Sequence, residues 1–229
     1  MTSRMPRLDV WLVENGHFSS RQMAKRAIKQ GLVTVNGEET KPSKRVAGKE
    51  NVVISPKAKN YPEGYFKLKR LDELFPKLQL NHGMDAIDIG SSAGGFLHYL
   101  KDKGLRVTGI EISEQFVRML IPLVQNNEAL SLIVGNAFEL EPEKVFEEMQ
   151  FDVLLIDVTT EMEGTLELIL SYRSILKSGG MLIAAFKCNT TNDNQKQLVR
   201  EVGSMGFDSL RTVVLDESTQ EIHVVGNRQ

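Results

Sequence analysis

Two lysines and two carboxylates, Lys67, Asp157, Lys187 and Glu221, are spaced along this chain so that three of them lie at one end or the other of predicted strands and one lies on a predicted helix. Lysines brought near one another lower each other's proton affinity, and carboxylates beside them fix their direction. Such a cluster is suited to taking a proton from a weakly acidic group. Taken singly, each has an ordinary explanation: a loop residue that caps a helix for Asp157, a solvated strand end for Lys187, an edge-strand charge for Glu221. The chemistry therefore depends on whether the fold gathers them.

A second stretch, Ala86-Ile87-Asp88-Ile89-Gly90-Ser91-Ser92-Ala93-Gly94-Gly95-Phe96, reads as a buried strand, a tight turn and a helix start. A turn of this kind at the carboxyl edge of a parallel strand is where open α/β sheets bind ligands. The dinucleotide fingerprint needs a second glycine so that a pyrophosphate can approach the backbone, and Ser92 stands there instead. Gly90, Gly94 and Gly95 still allow a tight turn, which suits a cofactor without a pyrophosphate, S-adenosylmethionine. The next strand, Arg106 to Glu111, ends in a carboxylate 21 positions after Gly90, where two ribose hydroxyls would be accepted. A third strand runs Leu132-Ile133-Val134-Gly135 into Asn136 and Ala137, with Asn136 placed either to face an adenine or to close a turn.

The elements that must position these residues alternate. After the glycine turn come strand 151–157, helix 162–176, strand 181–186, helix 192–205, and strands 210–215 and 221–225, a doubly wound α/β sheet. Lys67 precedes it on a helix with Leu68, Leu71 and Leu74 on one face. The chain has 229 residues, 41% hydrophobic and 25% charged, enough for one full α/β domain and a small one. No apolar run approaches the roughly 20 residues of a membrane span. The first residues show no signal-peptide apolar core, and the single cysteine, Cys188, forms no internal disulfide, so a reducing cytoplasm is expected and no membrane partner.

The net charge of −2 conceals an asymmetry. Residues 1–70 hold 15 Lys and Arg against 6 Asp and Glu, and residues 71–229 hold 13 against 24. The basic part reads as helix 7–15 with Leu8, Trp11 and Leu12 on one face, then a helix capped by Ser19 or Ser20 and ended by Gly31. In that second helix Met23, Ala24, Ala27 and Ile28 form the apolar stripe. A strand follows into the Asn36-Gly37 hairpin turn, and Val52-Val53-Ile54 supplies a later strand. Arg7, Arg21, Lys25, Arg26, Lys29, Lys41, Lys44 and Arg45 recur with few acids between them, a pattern for phosphate contacts to a nucleic acid. Residues 55–62 read as a linker, dividing the chain into domains 1–60 and 61–229.

Residues 7–54 resemble the small RNA-binding domain named after ribosomal protein S-four, through Arg7-Leu8-Asp9, Ser20-Arg21 and Gly31-Leu32-Val33-Thr34-Val35-Asn36-Gly37. The remainder resembles the FtsJ-like ribose 2'-O-methyltransferases. Tyr65-Phe66-Lys67-Leu68 is similar to that family's aromatic-Phe-Lys-Leu segment. Residues 157–165, Asp-Val-Thr-Thr-Glu-Met-Glu-Gly-Thr, resemble its Asp-Met-Ala-Pro-Asn-Met-Ser-Gly-Thr stretch, and Glu221-Ile222-His223-Val224-Val225 its closing Glu-Val-Tyr-Ile-Val strand. Lys69 fits the spacing to the cofactor strand as well as Lys67 fits the local motif. Lys187 stands about two positions later than is usual, and Thr159-Thr160 replace Ala-Pro. The fused layout is similar to that of the TlyA, or hemolysin A, family.

The resemblance implies a class I methyltransferase sheet of Rossmann-like form behind a small α+β RNA-binding domain, and ribose 2'-O-methylation of ribosomal RNA, with cytidine favoured. It implies a catalytic tetrad Lys67, Asp157, Lys187 and Glu221, with Lys187 as the base, its pKa lowered by burial and a neighbouring cation, and with no metal required. Asp88, Gly90, Ser91, Ser92, Gly94, Gly95 and Phe96 would hold S-adenosylmethionine, together with Glu111, Ile112, Asn136, Ala137 and Asp157. The partner would be ribosomal RNA or a ribosomal subunit; oligomeric state is left open. The other reading is a noncatalytic RNA-binding protein that retains the methyltransferase scaffold.

Overall fold

The computed structural model describes residues 5–18, 21–56, 58 and 61–229, in two compact units, Met1–Tyr61 and Pro62–Gln229. The Ser19 or Ser20 helix cap and part of the 55–62 segment lie outside the described residues. In the first unit, α1 (Leu8–Glu14) and α2 (Arg21–Lys29) pack on a three-stranded antiparallel sheet of β1 (Val33–Val35), β2 (Glu38–Glu39) and β3 (Val52–Ile54), in the order β2-β1-β3. Asn36 and Gly37 both have positive φ, +57° and +85°, which matches the hairpin twist that an Asn-Gly pair supplies. Leu8, Leu12, Ala24, Ala27, Ile28, Val33 and Val35 form its core. Met23, expected in the stripe, is 44% exposed. It sits about 100° from Ala24 around the helix, at the edge of the face that Ala24, Ala27 and Ile28 define.

The second unit holds seven strands, β4 (Asp85–Ile89), β5 (Arg106–Glu111), β6 (Leu130–Val134), β7 (Phe151–Ile156), β8 (Leu176–Lys187), β9 (Phe207–Val213) and β10 (Glu221–Arg228). Their order is β6-β5-β4-β7-β8-β10-β9. The β4–β5, β5–β6, β4–β7 and β7–β8 pairs are parallel, and β10 runs antiparallel to both β8 and β9. The chain leaves β4 toward one side and later returns to its other side, so the crevice above β4 is the topological switch point. Val153, Leu154, Leu155 and Ile156 of β7 are all fully buried, as a parallel strand covered on both faces requires.

The helices are α3 (Glu63–Leu74), α4 (Gly95–Asp102), α5 (Glu114–Gln125), α6 (Pro142–Val145), α7 (Met162–Tyr172) and α8 (Asn192–Ser204). Several boundaries differ from the sequence reading; the strand expected at 210–215 is Phe207–Val213, and the one expected to end at 225 runs on to Arg228. The helix expected to reach residue 176 ends at Tyr172 in a 3-10 turn, and β8 starts at Leu176 rather than Met181, because Leu176 already pairs with Phe151. Leu68 and Leu71 are fully buried, whereas Leu74, at the end of α3, is 41% exposed.

Helix α3 is held to α4 at very short range. A Cβ on Gly95 would lie 2.5 Å from the Tyr65 nitrogen and 2.6 Å from the Gly64 Cα, both backbone atoms that cannot swing away. Farther along, the Tyr65 hydroxyl donates to Asp102 (3.2 Å), and Asp72 accepts from the Tyr99 hydroxyl (2.6 Å) and pairs with Lys103 (2.7 Å). Gly95→Ala should therefore destabilise the protein by about 3 kcal/mol, read from urea unfolding, because the helices must part to admit one methyl. An unfolding midpoint equal to the parent's would show that the contact is slack.

Candidate active site at the carboxyl edge of the sheet

The turn after β4 combines close approach with an unusual backbone. Gly90 (φ +84°) packs so that a Cβ would stand 2.7 Å from the Asp157 carbonyl oxygen, drawing the ends of β4 and β7 together. Ser92 adopts φ +49°, uncommon for a residue with a side chain. Its amide donates to Glu111 Oε2 at 2.6 Å, while Glu111 Oε1 accepts from the Ile112 (3.0 Å) and Ser113 (2.7 Å) amides. Glu111 thus laces the β4 and β5 loops together. With two acceptor directions on each oxygen, one remains free on Oε2, fewer than the two hydroxyl contacts the sequence suggested.

Several of the other expected cofactor residues have side chains engaged within the protein. Ser91 is 4% exposed, and its hydroxyl donates to the Asp88 carbonyl oxygen (3.1 Å). Gly109 leaves room for that hydroxyl, since a Cβ there would lie 2.5 Å from it. Phe96 is buried and packs against Gly64; Gly94, at φ +81°, caps α4. Asn136 closes its own turn, accepting from the Phe138 amide (3.1 Å) and donating to Glu139 (2.8 Å), so the turn alternative holds. The Ala137 carbonyl accepts from the buried Tyr172 hydroxyl (3.1 Å), whose pKa burial pushes up to about 12. Ile112 is 61% exposed, as are Val134, opposite Glu111 in register, and, to 41%, Phe138. Val134 and Phe138 were not singled out from sequence, where an apolar residue at a strand end signals core.

Asp88 is the outlier. It is 1% exposed, and neither carboxylate oxygen has a hydrogen-bond partner. Burial chiefly, and the nearby Asp157 and Glu111 carboxylates, raise its pKa to about 7. A buried anion without a partner is costly unless a cation completes it. S-adenosylmethionine, with its ammonium and sulfonium groups, has the charge that this donor-poor carboxylate lacks, and the residues around the crevice fit it.

The four chemistry-bearing residues do converge. Lys67 Nζ lies 2.7 Å from Asp157 Oδ2 and 2.8 Å from Glu221 Oε1. Lys187 Nζ lies 2.7 Å from Asp157 Oδ1 and also contacts Glu221 Oε2. Charges alternate around a closed ring built from α3, the turn after β7, β8 and β10. The β8–β10 register, which sets Lys187 directly opposite Glu221, fixes half of it. Lys69 points elsewhere, to Glu73 at 3.6 Å, so Lys67 is the ring lysine.

The electrostatics correct one expectation. Burial alone would lower the Lys187 pKa, but the charges and hydrogen bonds of Asp157 and Glu221 outweigh it and raise the pKa above the ordinary value. The cation at Lys67 does not reverse this, because each lysine faces two carboxylates. Burial works against the ionised Glu221 as well; contacts from His223, Lys67 and Lys187 nevertheless hold its pKa well below the usual carboxylate range.

In the first unit, Asp9 is fully buried at the start of α1 and gathers part of the expected basic face. Its carboxylate meets Arg7 Nε (3.0 Å), Arg21 Nη2 (3.0 Å) and Lys25 Nζ (4.0 Å). Burial would raise the Asp9 pKa, but the hydrogen bonds from Arg7 and Arg21 hold it below its ordinary value. All three cations remain 41–53% exposed, with donors to spare. Arg45 donates to the Met5 carbonyl (2.7 Å); Lys29 and Lys41 are exposed, and Arg26 and Lys44 are half-buried. No helix among the described residues is long and apolar enough to cross a membrane.

Comparison with known proteins gives matches over both units. The S4 domain description matches residues 6–52, and that of the FtsJ-like methyltransferases matches residues 63–225. YqxC of Bacillus subtilis (strain 168), provisionally named an rRNA methyltransferase, is 39% identical over 98 residues, which cover 42% of this chain and 34% of that protein. Ribosomal RNA large subunit methyltransferase E of Wolbachia pipientis wMel is 30% identical over 99 residues, 43% of this chain and 47% of that one. The chain thus spans less than half the length of these curated relatives. A Streptococcus thermophilus structure provisionally described as a hemolysin is similar over 99% of this chain and 89% of its own, with a TM-score of 0.59 and 21% identity. Aeropyrum pernix fibrillarin, solved with natively bound S-adenosyl-L-methionine, has a TM-score of 0.59 and 23% identity over 71% of this chain and 75% of its own. At these identities the structural likeness is one of fold.

Proposed function

The chain belongs to the FtsJ-like methyltransferase family and joins that fold to an S4 domain, and from this premise we propose that it transfers a methyl group from S-adenosylmethionine to a ribose 2'-hydroxyl of ribosomal RNA, cytidine being the favoured target. The observation that carries the reading is the closed ring of Lys67, Asp157, Lys187 and Glu221 beside a crevice whose buried carboxylate, Asp88, has no partner.

The bound cofactor supplies a methyl group on a cationic sulfur, a leaving group that needs no metal. Asp88 offers its negative charge to the cofactor's ammonium group, the left-handed turn at Gly90, Ser92 and Gly94 keeps the backbone close, and the free acceptor direction on Glu111 takes a ribose hydroxyl. Ile112, Val134 and Phe138 present the exposed apolar surface that an adenine ring needs. For the acceptor, Lys67 and the two carboxylates hold the 2'-hydroxyl in line, and Lys187 in its neutral form takes the hydroxyl proton. Because its neighbours keep Lys187 charged at rest, only a small fraction is competent at neutral pH. The first unit supplies phosphate contacts to structured RNA through Arg7, Arg21 and Lys25 around Asp9, with Lys29, Lys41, Lys44 and Arg45 beside them.

Incubating the protein with ribosomal RNA and isotopically labelled S-adenosylmethionine, then separating the nucleosides by mass, tests the reading. Label should appear in a 2'-O-methylated nucleoside, cytidine first. A base-methylated nucleoside would move the reaction off the ribose, and absence of label from RNA altogether would leave the noncatalytic RNA-binding alternative standing.

A further inference from the structure

One buried titratable group beside the ring has no part in the chemistry above. His223 is 1% exposed and follows Glu221 by two residues on β10, so both side chains leave the same face of the sheet. Its Nε2 lies 3.0 Å from Glu221 Oε1, the oxygen that Lys67 also contacts at 2.8 Å. The contact favours the ionised carboxylate, although by strict geometry neither ring nitrogen completes a hydrogen bond. An apolar side chain would fill this place without burying two polar atoms. The imidazole therefore calls for a reason beyond packing.

The surrounding charges supply one. On its own strand His223 faces Glu221; Lys67 reaches the same carboxylate from α3, Lys187 from β8, and Asp157 closes the ring from the turn after β7. The residues paired with His223 across the sheet, Ala185 on β8 and Val213 on β9, carry no charge. With a neutral imidazole the ring holds two positive and two negative groups. One proton taken up from solvent by the imidazole makes the count three to two, in a buried place where charge is poorly screened.

We propose that His223 is a positioning residue whose charge decides whether Glu221 grips Lys67. When neutral, it stands against Glu221 and leaves Oε1 to Lys67. When protonated, it forms its own ion pair with Oε1, draws the carboxylate away from Lys67 and opens the ring. Ring closure then follows the protonation state of the imidazole, the side chain best suited to a change of charge without a change of shape.

The test is an NMR titration of the full-length protein with carboxyl-labelled glutamate, the Glu221 signal being assigned by its loss in Glu221→Gln. Between pH 8 and pH 5 the Glu221 signal should move with the same midpoint as the His223 ring signals, and His223→Gln should abolish that movement. His223→Tyr serves the same purpose if the glutamine variant does not fold. A Glu221 signal that stays still while His223 titrates, a His223 that does not titrate in this range, or movement that persists without the imidazole overturns the proposal. A kinetic arm rests on the methyl-transfer reading. Below the His223 midpoint the parent rate should fall about 100-fold per pH unit, one decade from Lys187 and one from His223, while His223→Gln falls about tenfold and binds S-adenosylmethionine as the parent does. If the parent methylates no RNA, that activity reading fails, and the NMR result still decides the role of His223.

Discussion

Lys187→Ala is expected to lower methyl transfer by about 10³-fold or more while leaving S-adenosylmethionine affinity, measured by calorimetry, within about twofold of the parent. The separation follows from geometry. Lys187, at the carboxyl end of β8, contacts Asp157 after β7 and Glu221 at the start of β10, whereas the cofactor crevice is built from the loops after β4 and β5. Proton abstraction by this lysine also has a signature in the parent enzyme. Asp157 and Glu221 raise the Lys187 pKa above its ordinary value, so the neutral form grows tenfold for each unit of pH throughout the neutral and mildly alkaline range. The methylation rate should climb about tenfold per unit from pH 8 to pH 9.5 without levelling. A plateau between pH 8 and pH 9.5, or an alanine variant that methylates RNA at near the parent rate, would remove Lys187 from the role of base and turn attention to the carboxylates.

Asp88→Asn should weaken S-adenosylmethionine binding by about 10- to 100-fold and yet favour the unliganded protein as pH rises. The folded protein keeps a proton on Asp88 up to about pH 7, whereas an unfolded chain releases it near pH 4. Between those values the unfolded state binds fewer protons, so the Asp88 contribution to stability falls as pH rises from about 4 to about 7 and stays lost above that. Asparagine has no such proton. The melting temperature of Asp88→Asn relative to the parent should therefore increase from pH 5 to pH 8, without ligand. A difference that ignores pH, or an unchanged cofactor affinity, would show that the buried carboxylate already has a partner and is not the cofactor's counter-ion.

Much of this molecule was legible along the chain. The strand, glycine turn and helix around Gly90 could be read because buried parallel strands are apolar on both faces and the turn requires left-handed backbone. The hairpin at Asn36-Gly37 follows from the same kind of local rule, as do the buried stripes Leu8-Leu12 and Leu68-Leu71. The hydrogen bonds that could not be read along the chain share a cause. Ser91 and Asn136 have polar side chains at the right edge of the sheet, yet their hydrogen bonds close within their own turns, to the Asp88 carbonyl and to the Phe138 amide and Glu139. Glu111 stands where a ribose acceptor belongs, but its capacity is divided among three amides on two loops. Whether a polar atom is free is a property of its neighbours, which the pattern of one element does not contain.

The four ionisable residues, their types and the elements that bear them were determined by the sequence alone, as was the split between a basic first unit and an acidic second. Which lysine joins them was decided only by tertiary structure. Lys67 and Lys69 lie about 200° apart on α3, flanking Leu68 from opposite sides with equal claims, until packing against Gly95 turns one flank toward Asp157 and leaves the other with Glu73. The charge on Lys187 was decided there as well. Burial and a second lysine argue for a lowered pKa, but the antiparallel register of β8 and β10 brings Glu221 against it, and two carboxylates at contact distance outweigh one cation on the far side of the ring. Periodicity propagates along a chain one element at a time, whereas electrostatic energy sums over everything within a few ångströms, and that neighbourhood exists only after the elements have packed.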